Sequence, residues 1–428
     1  MVKKVVIVGA GPSGVLLAHY LLRRDDKYQI DIYERRSDPR IIEFSKSRTF
    51  PMTLNERGMS ALRKISGVEE AVKAISVEIT GSFTHQTNGK TRFRRRSQPL
   101  FAVDRTNLAI ALLQTLIEKY DNSRFNIHFD CKCSQLDFAA KTARFETEVE
   151  EFTVDYDLLI GADGARSAVR EAFLTTEGFE CEQKYIHNDY KSIFLPANNH
   201  LKPGYVHAWQ MQDGSAVLLL HKQDGTMIGA MRFPHKKNKI AGLASKEEVV
   251  KFFEENFPEI SQLMPEEEAE AFYSRPVSSV LTVRCNRYHY GDSVLIIGDA
   301  AHAVSPSIGQ GCNSALEDVL IFDNLLDEYS DNWANAIAQF TIRRQPDAHA
   351  LMELSNNSFP LSRGLLIEFL LRESFAKFMH QLFPQRFSPS LFDLVFDSTV
   401  PYREILNSHK GWISKVKKSN EKFLAALV

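Results

Sequence analysis

The chain has 428 residues, enough for two or three domains with substantial hydrophobic cores. Its formal net charge of -2 at pH 7 gives no overall attraction for nucleic acid or anionic membranes, so neither is an expected partner. Five scattered cysteines without zinc-ligand spacing indicate reduced thiols in a cytoplasmic protein and no metal site. No stretch approaches the roughly 20 apolar residues of a membrane span, so no membrane anchor is expected.

The N-terminal stretch has the pattern of a nucleotide-binding strand, turn and helix. The apolar run 5–8 predicts a strand buried on both faces, and a G-x-G-x-x-G turn follows at 9–14. In such a turn Gly11 lets a pyrophosphate approach the backbone, and the next helix offers free N–H groups to phosphates. Glu34 lies 20 residues beyond Gly14, where a carboxylate accepts hydrogen bonds from a ribose. Together these features predict a dinucleotide site.

The next elements alternate between helical and strand-like patterns. Residues 55–65 have helical periodicity, and 77–83 with 89–93 predict a short hairpin ending in an arginine cluster, interpreted as a solvated strand edge. Residues 156–170 predict a second buried strand, an Asp-Gly turn and a helix. From about 180 to 283, short alternating or aromatic segments predict an antiparallel sheet with one face covered, interrupted by a helix at 246–256.

A third strand followed by a glycine turn lies at 294–313, and a helix with Ala315, Val319, Phe322 and Leu326 on one face follows it. The remainder from residue 332 is expected to be mostly helical. Three strand-then-glycine turns, each separated by more than a hundred residues, predict one doubly wound sheet. Its ligand would lie beyond the carboxyl ends of the strands.

Taken together, the three turns resemble the fingerprints of the single-component FAD-dependent aromatic hydroxylases. The first comprises residues 9–14 with Glu34. The second, 163–170, is similar to the family's D-G-x-x-S-x-x-R, and the third, 298–313, to its G-D-A-A-H-x-x-x-P-x-x-G-Q-G-x-N. The resemblance implies non-covalently bound FAD and an enzyme that uses NAD(P)H and O2 to hydroxylate a small aromatic molecule by way of a flavin hydroperoxide.

The implied fold class is α/β, with a doubly wound, Rossmann-like FAD-binding domain, an inserted antiparallel β-sheet substrate domain and a C-terminal helical region. We expect FAD-binding segments at 1–75, 100–178 and 285–331. The substrate domain would comprise a hairpin at 76–99 and a sheet at 179–284, and the helical region 332–428. A single G-x-G-x-x-G with an acidic partner predicts that NAD(P)H binds transiently, without a Rossmann domain of its own.

The resemblance also implies which residues contact the cofactor. Asp299 would hold the ribityl chain, and the turn around Gln310, with free N–H groups opening a helix, would stabilise the anionic reduced flavin. The expected catalytic residues are Pro306, Gly309 and Gln310. The expected FAD-binding residues are Gly9, Gly11, Ser13, Gly14, Glu34, Arg35, Arg105, Asp163, Asp299, Gly309, Gly311, Cys312 and Asn313.

Within the family, residues 279–326 are similar to the kynurenine 3-monooxygenases almost throughout. The implied substrate contacts are Arg48, which would bind a carboxylate with help from Tyr402, together with Ile308 and Ser358. These enzymes carry an asparagine and a glutamate where our alignment puts Ser358 and Leu361, so neither position offers a charge to an α-ammonium group. We therefore expect an anionic aromatic substrate, with kynurenine itself a poor one.

This chain also departs from the kynurenine enzymes at Ser307 and Ile308, where they carry two phenylalanines. The oligomeric state is expected to be a monomer or a homodimer. Two alternative functions stay open: a flavin-dependent epoxidase or oxidase of a fused-ring natural product, and a non-catalytic binder on the same fold. Glu34 and Asp299 argue against the binder, which needs no ribose ligands. His302 is interpreted as a structural hydrogen-bonding residue.

Overall fold

A computed structural model describes residues 2–41, 50–86, 89–211, 213–236, 238–240 and 242–425. The strands are β1 (Lys3–Val8), β2 (Tyr28–Tyr33), β3 (Pro51–Leu54), β4 (Val77–His85), β5 (Thr91–Asp104), β6 (Phe125–His128), β7 (Lys132–Asp137), β8 (Thr142–Glu146), β9 (Glu151–Asp155), β10 (Leu158–Gly161), β11 (Cys181–Leu195), β12 (Tyr205–Gln210), β13 (Ala216–His221), β14 (Met227–Pro234), β15 (Ser278–Cys285), β16 (His289–Tyr290) and β17 (Val294–Ile296). The helices are α1 (Pro12–Leu22), α2 (Glu56–Arg63), α3 (Val68–Ala74), α4 (Arg105–Lys119), α5 (Ala168–Phe173), α6 (Lys246–Asn256), α7 (Pro258–Ser261), α8 (Glu266–Ser274), α9 (Asp299–His302), α10 (Gly311–Glu328), α11 (Trp333–Asn357), α12 (Arg363–Leu382), α13 (Leu391–Asp397), α14 (Tyr402–Ser408) and α15 (Lys410–Ala425).

A six-stranded sheet in the order β16-β17-β10-β1-β2-β6 forms the centre of the nucleotide-binding part. All its neighbouring pairs are parallel except β16 with β17. Its strands are nearly continuous apolar runs because helices α1, α4 and α10 share one buried core with them. The small sheet β7-β8-β9 joins the same core, with Phe145 stacked on Tyr33 at 3.8 Å between ring centroids. The predicted α/β fold class is confirmed.

A second, eight-stranded sheet has the strand order β15-β11-β14-β13-β12-β4-β5-β3. Helices α6, α7 and α8 cover one of its faces with a separate apolar core. The predicted antiparallel sheet is confirmed, because all pairs among β11 to β15 are antiparallel. Where this sheet meets the hairpin of β4 and β5, however, β12 lies parallel to β4. More than a hundred residues, among them a segment of the nucleotide-binding part, separate these two strands along the chain, and such a long crossover permits parallel pairing. The predicted domain limit at 99/100 falls inside β5, and the domain limits stay a prediction.

Helices α11 to α15 complete the chain and share a third apolar core with Ile308. Among the helices of the described residues, none combines the length and apolarity needed to cross a bilayer.

Asp318 in α10 joins the third glycine turn to two helices. Its fully buried carboxylate accepts hydrogen bonds from Gly298 N (2.7 Å), His302 Nε2 (2.6 Å) and Arg344 Nε (2.6 Å). Burial by itself raises the pKa of Asp318, but the interactions with His302 and Arg344 outweigh it and leave this pKa below its ordinary value. His302 is thus buried and hydrogen-bonded within the protein, as the sequence analysis expected, and its structural role stays a prediction.

We predict that Asp318→Asn lowers the free energy of unfolding by about 3–5 kcal/mol, because it leaves buried cationic and N–H partners without their carboxylate. Urea unfolding followed by circular dichroism measures this loss. The matched control is Glu328→Gln at the exposed end of α10, where the ion pair with Arg343 is solvated and its loss should have far less effect.

The sign of the pH dependence follows from the lowered pKa of Asp318 in the folded protein. Its stabilisation is fully present above the pKa of an unfolded aspartate, about 4, and is lost as the pH falls through the folded value. The difference in stability between wild type and Asp318→Asn should therefore shrink in acid. A difference no larger than that of Glu328→Gln at neutral pH would refute the role of Asp318.

Candidate active site

The register of the six-stranded sheet brings the three glycine turns to one edge. Strand β10 pairs with β1 on one side and with β17 on the other, so that Val8, Gly161 and Ile296 lie side by side. The turns that follow therefore leave the sheet at the same level, at the carboxyl ends of adjacent parallel strands. This is where open α/β sheets bind their ligands.

The turns also contact one another closely. A Cβ on Gly9, whose φ is +108°, would lie 2.5 Å from Ala162 O, and a Cβ on Gly14 would lie 2.2 Å from Gly9 O. A Cβ on Gly298 would lie 3.2 Å from Ser13 Oγ. The first and second turns thus leave no space for larger residues at Gly9 and Gly14, and the third turn lies against the start of α1.

Gly11 and Glu34 fit a dinucleotide at this edge. Among the described residues, a Cβ on Gly11 would meet only Ala162 O, at 4.0 Å, so the described fold leaves this position open. Helix α1 begins there without a side-chain cap or an acidic first turn, which leaves its positive end available to phosphates. The Glu34 carboxylate accepts hydrogen bonds from Ala10 N and Arg36 N, both at 3.0 Å, and is thereby fixed beside the turn.

The two carboxylate oxygens of Asp163, in the second turn, differ in their hydrogen bonding. Its Oδ2 accepts hydrogen bonds from Ala168 N (2.6 Å) and Val169 N (3.3 Å) at the start of α5. Its Oδ1 is buried and has no hydrogen-bond partner among the described residues, and burial raises the pKa of this carboxyl group. Such an orphaned buried oxygen is what a ligand donor would satisfy, so Asp163 also fits a bound cofactor.

Three further predicted FAD contacts lie near one another. Burial raises the pKa of the Cys312 thiol to about 12, the Asp299 carboxylate adds to this shift and the Arg105 guanidinium opposes it. Asp299 is half-buried at the start of α9, whereas Arg105 and Arg35 are exposed and accessible to a ligand. The third turn and the start of α4 thus meet around one site.

The start of α10 offers a second uncapped helix end. Gly309 has a left-handed φ of +61°, and α10 then begins at Gly311 with no side-chain cap and no acidic residue in its first turn. Pro306 opens the short 3-10 helix that leads into this turn. Free N–H groups at such a position can stabilise negative charge on a ligand.

The Gln310 and Asn313 side chains face the protein rather than this opening. Gln310 Oε1 accepts hydrogen bonds from Tyr402 OH (3.0 Å) and Asn55 Nδ2 (3.2 Å), and its amide donates to Ile308 O (3.3 Å). Asn313 is fully buried, accepts from Asn55 N and donates to the Thr53 and Gly309 carbonyls. Contributions of Gln310 and Asn313 to a ligand would therefore come from their backbone N–H groups.

The predicted substrate contacts differ in their burial and in their distance along the chain from the α10 turn. Tyr402 and Ile308 are buried beside the α10 turn, where the Tyr402 hydroxyl donates to Gln310, and their role as substrate contacts stays a prediction. Ser358 is fully buried at the end of α11 with its hydroxyl donating to Leu354 O. Leu361 is exposed. Arg48 lies outside the described residues, so its role stays a prediction.

One face of the eight-stranded sheet is turned towards the α10 turn. Leu219 packs against α6–α8, so the alternating residue Leu220 points to the opposite face, where it packs with Ala102. Ala102 pairs with Thr53, and Thr53 Oγ1 lies 3.7 Å from the position a Cβ on Gly309 would take. We call the sheet face that carries Leu220 the open face.

The open face carries a pair of polar residues that the sequence analysis did not identify. Arg232 is directly opposite Tyr190 in the pairing of β11 with β14, and both are half-buried. Arg232 Nη2 donates to Gly214 O at 3.2 Å, whereas its Nε is buried and finds no hydrogen-bond partner in the part of the chain that the structure describes. Strand alternation is the signal that could have placed them on one face, but it does not say which face meets the cofactor.

A buried network beneath the α10 turn was also missed. Arg57 is 1% exposed, forms an ion pair with Glu317 and places its guanidinium 4.1 Å from the Tyr402 ring centroid. Burial raises the pKa of Tyr402, with Arg57 acting in the opposite direction. In the sequence, an arginine early in a helix is indistinguishable from a solvated one.

Comparison with known proteins identifies the family. The family described as "FAD binding domain" matches residues 3–355. Kynurenine 3-monooxygenase of Drosophila willistoni is 31% identical over 95% of this chain and 90% of its own length, and that of Sus scrofa is 29% identical over 99% and 90%. The chain belongs to the FAD-dependent aromatic monooxygenases.

Solved structures agree on the fold. A variant of 2-methyl-3-hydroxypyridine-5-carboxylic acid oxygenase superposes with a TM-score of 0.69 at 18% identity, covering 83% of this chain and 90% of that one. The tetracycline destructase Tet(51) gives 0.62 at 17% identity, covering 86% and 95%. The predicted family, enzyme class, FAD cofactor and NAD(P)H reductant are confirmed, and the epoxidase and binder alternatives are not favoured.

In this monooxygenase, bound FAD supplies the transfer of electrons from NAD(P)H and the activation of O2. The residues of this chain would hold and polarise that group. The uncapped start of α1 and Gly11 fit its pyrophosphate, and Glu34 fits a ribose. The start of α10 fits negative charge at the reacting end, and Ile308 anchors that turn in the third apolar core.

We predict that Gly11→Val yields folded protein without FAD. The fold leaves a Cβ at this position 4.0 Å from the nearest atom, so the valine side chain should be tolerated while filling the space of the pyrophosphate. The measurements are FAD released on denaturation and the melting temperature, compared with wild type stripped of FAD. A Gly11→Val protein that retains stoichiometric FAD would refute this assignment.

Proposed function

We propose that this monooxygenase hydroxylates a small aromatic compound carrying an acidic group. The observation that carries the proposal is Arg232 on the open face. Within the described part of the chain no carboxylate forms an ion pair with it, and its buried Nε lacks a hydrogen-bond partner. An arginine with an unused planar edge pairs bidentately with a carboxylate, and aromatic acids present such a group beside a ring.

Tyr190 supports this substrate class. It neighbours Arg232 across the strand pair, and burial raises the pKa of its phenol, so it is neutral at physiological pH and able to donate a hydrogen bond. The wall beside these two polar residues includes apolar positions such as Leu218, Leu220 and Ile228, which suit an aromatic ring. Together these residues offer charge recognition at one end and an apolar surface at the other.

Kynurenine, which the relatives' name states as their substrate, is expected to be a poor substrate here. An amino acid tail brings an α-ammonium group that needs a negative partner. Ser358 is buried with its hydroxyl committed to Leu354, and Leu361 is an exposed aliphatic residue, so neither supplies one. A desolvated ammonium without a partner costs on the order of a few kcal/mol, which corresponds to roughly a hundredfold in affinity.

We propose that Pro306, Gly309 and Gln310 contribute catalytically through the geometry and backbone N–H groups of their turn, and that the domain limits are those expected from the sequence. Free thiols at all five cysteines support a reducing, cytoplasmic setting. Light scattering after size exclusion tests the expected monomer or homodimer.

We predict that Arg232→Met raises KM for the aromatic acid by roughly ten- to a hundredfold, because the substrate carboxylate loses its charged partner. FAD content should stay unchanged. Steady-state rates of substrate-stimulated NAD(P)H oxidation measure the effect on a panel of aromatic acids and their neutral amides. The matched control is Arg144→Met, because Arg144 is exposed on β8, in the small sheet that packs on the nucleotide-binding core and not on the open face.

Arg48→Ala should likewise raise KM for the true substrate while leaving FAD content unchanged, because Arg48 is predicted to share the carboxylate. The amides should be poor substrates of the wild type and nearly indifferent to both substitutions. Efficient turnover of kynurenine at micromolar concentrations, or an unchanged KM for the acids in both variants, would refute an anionic substrate.

A further inference from the structure

Helix α12 carries a row of large apolar side chains on its solvent-facing side. Their spacing of three or four residues puts them on one face of the helix. All are between 37% and 66% exposed, which is unusual for so many neighbouring large apolar residues. We call this set the apolar strip; it comprises Ile367, Leu370, Leu371, Phe375, Phe378 and Leu382.

The strip is not the result of a loosely attached helix. On the opposite side of α12, Phe369 is 3% exposed, and its ring lies 5.2 Å from that of Phe392 and 6.2 Å from that of Trp412. Beyond the helix end, Phe383 and Phe387 are also exposed and extend the apolar surface. The helix is therefore packed by one side and presents the other to solvent.

Basic residues flank the strip. Arg363 and Arg372 are exposed on α12 itself. Helix α15 runs alongside: its Lys415 Nζ lies 2.6 Å from the Glu368 carboxylate, and its Asn420 hydrogen-bonds the backbone just before α12. Glu368 is already paired with Lys415 and Arg372. Residues 359–428 contain 10 Lys and Arg against 6 Asp and Glu, whereas the rest of the chain has 42 against 48. The net charge of -2 thus conceals a basic C-terminal region.

We propose that the apolar strip docks on an anionic lipid bilayer, with α12 lying in the interface and not crossing it. Exposed phenylalanines and leucines on one face with lysines and arginines beside them are what such interfacial helices use. A second copy of the chain fits less well. A two-fold contact is self-complementary, so it would bring two copies of the same basic C-terminal region together.

The test is flotation of the full-length, FAD-loaded protein with phosphatidylcholine vesicles, with and without phosphatidylglycerol. Wild type should float with the anionic vesicles, less so with neutral ones, and less at high salt. Phe375→Ser combined with Phe378→Ser should lower vesicle binding by roughly tenfold or more. The control is Ile342→Ser on α11, because Ile342 is as exposed as Phe375 (62%) but lies outside the strip.

FAD content and circular dichroism should be the same in all these proteins, since the substituted side chains are exposed. Absence of vesicle binding by the wild type would overturn the proposal, and so would binding that the double substitution leaves unchanged. A dimer that the double substitution dissociates, without vesicle binding by the wild type, would assign the strip to a second copy and would also overturn it.

Discussion

The buried carboxylate of Asp318 is the interaction on which the site depends. It fixes Gly298 and His302 of the third turn, and through Arg344 it ties α10 to α11. A charge is buried so deeply only when it is paired and hydrogen-bonded, and the third turn and α11 together supply the three donors to this carboxylate. The start of α10 is thereby held at the same sheet edge as the other two turns, although more than a hundred residues separate the third turn from the second.

Above this anchor, a second layer of buried polar contacts sets the shape of the α10 turn. Gln310 binds Tyr402 and Asn55, Asn313 binds the backbone around Thr53, and these bonds occupy their side chains. The motif therefore uses its polar side chains to hold backbone N–H groups in place rather than to contact a ligand. Such preorganised backbone donors need no rearrangement when negative charge develops on a bound group.

The sequence allowed the three turns, the doubly wound sheet and the cofactor class to be predicted, because glycines in turns and buried parallel strands leave local patterns. It did not predict the parallel pairing of β12 with β4, since nothing local reports which distant strand lies alongside. The inward direction of the Gln310 and Asn313 side chains and the place of Arg232 on the open face were equally inaccessible, because they depend on tertiary packing. The overall charge also hides an uneven distribution, because it averages a basic C-terminal region with an acidic remainder.

The central claim is that the three converging turns hold FAD for insertion of one oxygen atom into an aromatic acid. Turnover of a panel of aromatic acids under isotopically labelled O2, with product analysed by mass spectrometry, tests it most directly. The account predicts NAD(P)H oxidation stimulated by one class of acid and a product containing a single labelled oxygen atom. Protein that contains no FAD and cannot be reconstituted, or stimulated NAD(P)H oxidation that yields only peroxide with every acid, would contradict it.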